Sequence, residues 1–317
     1  MGTFYIDKEK ILENYKIFKS LGPVYFPLKT NEDNEVFSVL NNVFDNEDKF
    51  AISRKSHLKK ELNNYSLINP LYSLEELEFF YNEGVRDFVF DNFETFKSFK
   101  EKHTDIICSA RINISELYTG TKTPIGCTFK DAFKMIKENC SLSIYCPEEI
   151  RKEDYCKEAL ILAKTLSPCA VRIGGINKNF DKNLFSDFKI DTGIKVITEP
   201  GTAIVEDAVN YECDVFDVKT ICNKNYIILD ATIYNMFIDH ILYKKNFEAY
   251  VENTKLSYKD NFQTPYILCG RSSDYKDVLG TVFLSSDIVD KIETTKKITF
   301  KNVGAYFKSL ENSNFIF

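Results

Sequence analysis

The sequence predicts an α/β chain: a (β/α)8, TIM-like barrel joined to a smaller, mainly antiparallel β domain. Three observations predict it. Short apolar runs recur eight times in roughly the first 200 residues, most ended by a polar residue and followed by a charged segment with helical spacing. Beyond about Asp207 that rhythm gives way to strand-like segments with turn-like separators. The length of 317 residues accommodates a barrel with chain to spare.

Taken in order, the runs are Val24–Leu28, Phe50–Ile52, Tyr65–Ile68, Asp87–Phe90, Ile106–Ile112, Ser141–Ile144, Ala170–Ile173 and Lys195–Ile197. Runs this short and this apolar suit strands buried on both faces, as in a parallel sheet. Between them lie amphipathic stretches such as those that begin at Ser73 and Thr128. Each of these two residues suits a helix N-cap, with an acid three positions on. In the second part, Val215–Ile221, Tyr226–Ile233, Pro265–Leu268, Val278–Leu284 and Ile298–Val303 read as strands, and Thr3–Asp7 as a further one. The expected division is a barrel over 20–206 and a β domain from 1–19 and 207–317. No internal repeat interrupts either part.

Composition narrows the function classes. Hydrophobic residues at 44% and charged residues at 28% support a large core. A formal net charge of −6 without basic runs gives no footprint for nucleic acid. The nine cysteines form no Cys-x-x-Cys pair, which argues against a zinc site and for free thiols in a reducing compartment. His57 and His240 lack metal-ligand spacing. With no leader-like start and no membrane-length apolar run, the sequence predicts a soluble, cytoplasmic protein.

In a parallel barrel the chemistry gathers at the carboxyl ends of the strands. The residues there are Lys29, Ser53, Asn69, Asp91, Arg111, Tyr145, the pair Gly174-Gly175, and Glu199. Together they suit pyridoxal 5'-phosphate (PLP), which needs a lysine, backbone amides for its phosphate and a partner for its pyridine nitrogen. A glycine pair lets main-chain N–H groups approach a phosphate. A carboxylate at Glu199 would keep the pyridine nitrogen protonated and the ring electron-poor. Arg111 is read either as a group orienting the site or as a strand-end ion pair.

The order and spacing of several motifs resemble the fold-type III PLP decarboxylases, the family of ornithine, diaminopimelate and carboxynorspermidine decarboxylases with an alanine racemase-like fold. Tyr25–Asn31 resembles the Tyr-Ala-Val-Lys-Ala-Asn element, with Lys29 as its lysine, and Ile68–Pro70 an Ala-Asn-Pro element. Val85–Asp91 is similar to the Gly-Val…Phe-Asp strand. Arg172–Ile176 is similar to Asp-Ile-Gly-Gly-Gly, and Glu199–Gly201 to Glu-Pro-Gly. Gly270–Asp277 stands where the family has Gly-Pro-Thr-Cys-Asp-x-x-Asp, and Gly304–Tyr306 where it has Gly-Ala-Tyr. The opening strand and Leu12–Tyr15 fit as well, so the resemblance spans nearly the whole chain.

The resemblance implies roles. Lys29 would hold PLP through a Schiff base, Glu199 would face the pyridine nitrogen, and Gly174, Gly175 and Tyr306 would hold the phosphate. It also implies a homodimer with shared active sites, in which Ser273 and Asp274 act from the partner subunit. Asp274 would bind the distal amine of a substrate, with Asp230, Tyr234 and Asp239 as further contacts. Departures are equally specific. Tyr145 replaces a stacking histidine, in the segment Ser143–Pro147. Ile176 replaces the third glycine, and Thr202 an arginine. Ser273 replaces the cysteine thought to reprotonate Cα, and a serine hydroxyl is a much poorer acid. Cys269, four residues earlier, is an alternative acid, against the reading of a small buried strand residue.

The function expected is decarboxylation of a basic amino acid, or of an amino-acid-headed conjugate, in polyamine, lysine or natural-product (siderophore-type) metabolism. An amino-acid racemase on the same fold is the first alternative, opposed by Glu199 where racemases of the alanine type carry arginine. A catalytically inactive homologue that binds a regulatory protein is the second. A small PLP-carrying homeostasis protein is the third, opposed by the β domain. No metal, membrane or nucleic acid partner is expected.

Overall fold

The structure is a computed structural model that describes residues 2–59, 64–118, 123–146, 154–260 and 262–306. The chain divides into two compact units. One comprises Leu12–Lys29 and Leu40–Ala203; the other comprises Met1–Ile11, Thr30–Val39 and Ile204–Phe317. The first strand, β1 (Thr3–Ile6), belongs to the second unit.

The first unit is a parallel barrel. Its strands are β2 (Tyr25–Pro27), β3 (Lys49–Ile52), β4 (Tyr65–Leu67), β5 (Asp87–Phe90), β6 (Ile107–Arg111), β7 (Ser141–Tyr145), β8 (Ala170–Gly174) and β9 (Lys195–Glu199). They pair in sequence order, β2 to β9. A parallel bridge from Val24 to Thr198, with Thr198 N–H donating to Pro23 O at 3.0 Å, joins the last strand to the first. Each apolar run read from the sequence contains or overlaps one of these strands.

Helices return the chain between strands because their first turns are closed locally. Ser73 accepts from Glu76 N–H and donates its own N–H to the Glu76 carboxylate, starting helix Leu74–Asn82. Thr128 accepts from Asp131 N–H at the start of Phe129–Lys137. Gly193, with φ +68°, ends Lys182–Thr192 in the left-handed turn that glycine adopts without strain.

Strand side chains alternate between faces with period two. Outward residues such as Phe26, Phe50, Phe88 and Phe90 are buried beneath the helices. Inward residues include a cluster of Tyr25, Ala51, Ile68, Val89, Ala170 and Ile197, together with a polar set, described below, to which the Tyr25 hydroxyl also belongs.

The second unit holds β1, β10 (Val209–Ile221), β11 (Lys224–Leu229), β12 (Glu248–Val251), β13 (Thr254–Lys255), β14 (Thr264–Cys269), β15 (Val278–Leu284) and β16 (Lys297–Lys301). Their order is β13-β12-β16-β10-β11-β14-β15, with β1 also on β10. Every pairing is antiparallel except β11 with β14. The core of this sheet includes Cys213, Ile227, Phe237, Ala249, Leu268 and Phe300.

Local details differ from the sequence reading. The segment Tyr226–Ile233 is not one strand: β11 ends at Leu229, and a capping box of Thr232 and Asn235 turns Ile233–Met236 into a helical turn. β12 and β13 were not foreseen, although Phe247, Ala249 and Val251 alternate toward the core. A ten-residue helix, Ser286–Thr295, joins β15 to β16. No helix among the described residues is long and apolar enough to cross a membrane.

Candidate active site

Six inward-facing polar residues from β2, β3, β4, β5, β6 and β8 meet inside the barrel. Asp87, 1% exposed, is their centre. Its Oδ2 accepts from Tyr25 OH (3.1 Å) and Lys49 Nζ (2.7 Å), and its Oδ1 from Ser66 Oγ (3.0 Å) and Arg172 Nη1 (3.0 Å). Arg172 Nη1 also reaches Ser109 Oγ at 3.3 Å. Burial opposes the Asp87 anion, but Arg172 and Lys49 outweigh it and hold this carboxyl below the usual carboxylate range.

Arg172 links this layer to Glu199 at the end of β9. Its Nε donates to Glu199 Oε1 at 2.8 Å, and its Nη2 lies 2.6 Å from the same oxygen. Burial disfavours the guanidinium, yet the two carboxylates prevail and its pKa is raised. Arg172 is fully buried and Glu199 is 6% exposed.

At the carboxyl ends of the strands stand Lys29, Arg111, Tyr145 and Gly174. Lys29 lies in a single 3-10 turn, Leu28–Thr30, directly after β2. Its Nζ is 5.8 Å from the centre of the Tyr145 ring, and the Arg111 guanidinium is 5.0 Å from that centre. Two cations thus share one aromatic ring. The Lys29 side chain keeps accessible surface, yet burial in the surrounding protein lowers its pKa, helped by Arg111 and opposed by Glu199. Lys29 is thus accessible at its surface while protein packs around it closely enough to disfavour its charge. Arg111 makes no ion pair among the described residues, and burial lowers its pKa as well.

Gly174 is the floor between Tyr145 and Glu199. A Cβ there would lie 3.0 Å from Tyr145 Cδ2 and 3.3 Å from Glu199 Oε2. Tyr155 donates to Gly174 O at 2.8 Å and so fixes this strand end. Gly175 follows with φ +73°, a turn that favours glycine. Asp91 is half-buried and accepts from Gly126 N–H at 3.1 Å; burial raises its carboxyl pKa. His57, just beyond β3, is 2% exposed and accepts from Arg54 Nε at 2.8 Å. Burial, aided by the cations of Arg54 and Lys29, lowers its pKa to about 3, so the ring is neutral.

The remaining candidates lie in the second unit. Gly270–Asp277 is a loop built around Asp277, 2% exposed, whose carboxylate accepts from Ile233 N–H (2.8 Å) and Ser272 N–H (3.0 Å). A Cβ at Gly270 would lie 2.2 Å from Asp277 Oδ1, so glycine is required. Arg271 N–H donates to Ala231 O, joining this loop to the Asp230–Tyr234 segment. Tyr234 OH donates to Asp274 Oδ2 at 2.7 Å, and Arg271 pairs with Asp230 at 2.6 Å. Ser273 is exposed, while Cys269 is half-buried with a thiol pKa raised by burial and by Asp277. Tyr306, with φ +56°, donates its N–H to Thr30 O at 2.7 Å, and Asn31 Nδ2 donates to Gly304 O at 2.8 Å. The Gly304–Tyr306 motif is therefore tied to the residues that follow Lys29. Pro147, in the segment carrying Tyr145, lies outside the described residues. No group of metal-ligating side chains occurs among the described residues.

Whether these residues fit PLP can be tested on the geometry. The lysine is accessible and of lowered basicity, an aromatic ring flanks it, and glycine leaves open the ground beside Glu199 Oε2. Glu199 keeps that second oxygen clear of Arg172, which engages Oε1 alone. The residues present fit the group. Asp87, Lys49, Ser66, Ser109 and Tyr25, the layer beneath, went unread in the sequence. So did the position of Arg172, a charge in mid-strand that was absorbed into the glycine motif.

No family model matches the sequence, and no curated protein matches it. Solved structures do. A lysine decarboxylase from Selenomonas ruminantium superposes with TM-score 0.75 at 18% identity, covering 98% of this chain and 88% of that one. A lysine/ornithine decarboxylase from Vibrio vulnificus gives 0.76 at 16%, covering 98% and 90%. The arginine decarboxylase of Paramecium bursaria Chlorella virus gives 0.75 at 14%, covering 98% and 92%. By barrel, β unit and superposition, the chain has the fold of these fold-type III decarboxylases.

Proposed function

We propose that the chain is a PLP-dependent carboxy-lyase acting on a basic amino acid or an amino-acid-headed conjugate. One observation carries this: Lys29, Tyr145, Gly174 and Glu199 come together at the carboxyl end of a parallel barrel, with the Lys29 ammonium destabilised. The solved neighbours support it, since the Vibrio enzyme was crystallised with cadaverine and with putrescine, and the viral enzyme with agmatine. A further solved neighbour was determined in complex with PLP and cadaverine.

Bound PLP would supply an electron-poor ring that accepts the electron pair left at Cα when carbon dioxide departs. Lys29 would hold the cofactor, and its lowered pKa makes the free amine available closer to neutral pH than in an ordinary lysine. Glu199 would hold a proton on the ring nitrogen through Oε2. Tyr145 would cover one ring face, and Gly174, Gly175 and Tyr306 would bind the phosphate. Arg111 lowers Lys29 basicity and holds the Tyr145 ring between two cations. Ser273 and Asp274, presented on the exposed loop, would serve the site of a second copy in a homodimer, with Asp274, Asp230 and Tyr234 meeting the substrate's distal amine. Ser273 or Cys269 would return the proton to Cα.

The test is incubation with PLP and each of L-lysine, L-ornithine and L-arginine, scoring carbon dioxide, amine and chirality. Gas and the matching diamine or agmatine are expected, with activity lost in Lys29→Ala. Inverted amino acid without gas would establish a racemase instead, and PLP binding with neither product an inactive homologue.

A further inference from the structure

We infer that Arg172 is a positioning residue for Glu199: it clamps one carboxylate oxygen and thereby presents the other to the cofactor's ring nitrogen. The inference rests on the PLP reading above and assigns a role to a residue that reading does not use. Arg172 occupies the place of the aspartate in the Asp-Ile-Gly-Gly-Gly element that this strand resembles, so an anion has been exchanged for a cation.

The geometry is specific. Both Nε (2.8 Å) and Nη2 (2.6 Å) converge on Oε1, rather than forking across the two oxygens. Oε2 is left on the Gly174 side, 3.3 Å from where a Cβ would stand, beside Tyr145. The third nitrogen, Nη1, is anchored by Asp87 and Ser109, and Asp87 is anchored in turn by Lys49, Ser66 and Tyr25. Arg172 therefore has little freedom to swing, and neither has Glu199. The four charged groups also balance: Lys49 and Arg172 against Asp87 and Glu199. Deleting the guanidinium leaves a buried carboxylate without its cation and without the contact that fixes Oε1, so Oε2 is no longer held toward the ring nitrogen.

The test is a substitution cycle read by PLP dissociation constant and by the pH midpoint of the Lys29-dependent chromophore. Arg172→Met is expected to weaken PLP binding about tenfold and to shift the midpoint, with Arg172→Lys shifting it less in the same direction. In a Glu199→Gln background both substitutions should change either readout less than twofold, because the group they act through is gone. If Arg172→Met does not fold, Arg172→Lys carries the comparison, and Arg172→Met in the Gln background restores the balance of Lys49 against Asp87. Equal losses in both backgrounds would mean that Arg172 only supports the barrel; no change in either would mean that it has no role. A wild-type protein without any Lys29-dependent chromophore would defeat the PLP reading itself and this inference with it. A chromophore indifferent to residue 172 would defeat this inference alone.

Discussion

Two arginine–carboxylate pairs in this molecule have the same 2.6 Å separation and opposite surroundings. Arg172 and Glu199 lie inside the barrel with the guanidinium fully buried, whereas Arg271 and Asp230 lie in the second unit with the arginine side chain 51% exposed. Distance alone would rank them equal. The buried pair is assembled against desolvation and survives because Asp87 and Ser109 engage Arg172 Nη1, while Lys49, Ser66 and Tyr25 hold Asp87 in turn. The exposed pair is screened by water and salt, and it competes with side-chain entropy. The barrel pair is consequently where substitution exerts leverage, and the loop pair is where solvent can displace it.

The largest effect is expected at the centre of the buried layer. Asp87→Asn leaves Lys49 and Arg172 undercompensated and should cost about 3–5 kcal/mol of unfolding free energy, measured by urea titration. A loss no larger than that of a surface substitution would mean that the buried charges are not coupled.

Next in size is the acid limb of stability. His57 has its pKa depressed from 6.5 to about 3, so the unfolded chain takes up a proton that the folded one refuses. Its stabilising contribution is complete above pH 6.5 and is lost as pH falls through that window toward 3. The Asp87 contribution, from a carboxyl held below its ordinary 3.8, is complete above that value and is lost at lower pH as the carboxyl protonates. Melting temperature against pH should therefore fall in two stages, and His57→Gln should flatten the first only.

A smaller effect concerns Lys29. Burial is the main cause of its lowered basicity and Arg111 the second, so Arg111→Gln should raise the Lys29 pKa part of the way back. The pH profile of PLP capture should move to higher pH in that variant. An unmoved profile would remove Arg111 from the account. The smallest effect is at the exposed pair: Arg271→Ala should change stability by less than about 1 kcal/mol, and that change should shrink as salt is added.

The same contrast explains what the sequence revealed. The barrel was legible because doubly buried parallel strands read as apolar runs, and Ser73 and Thr128 mark helix starts through chemistry local to a few residues. The strand-end candidates were legible because barrel geometry assigns the carboxyl ends in advance. The layer beneath was not. Asp87 looks like the polar edge of a strand until Arg172, 85 residues away, is placed against it. Gly270 and Asp277 were read as parts of a motif, and only the fold shows that they hold the loop together while Ser273 and Asp274 are displayed. The strand pair β12–β13 escaped because it is short and its alternation rests on residues as small as Ala249.

The central claim is that Lys29 is the cofactor lysine, and covalent capture tests it most directly. The protein is incubated with PLP, reduced with borohydride and digested, and the modified peptide is located by mass spectrometry. The account requires a phosphopyridoxyl group on Lys29, absent in Lys29→Ala. Modification scattered over surface lysines, with Lys29 untouched, would contradict it.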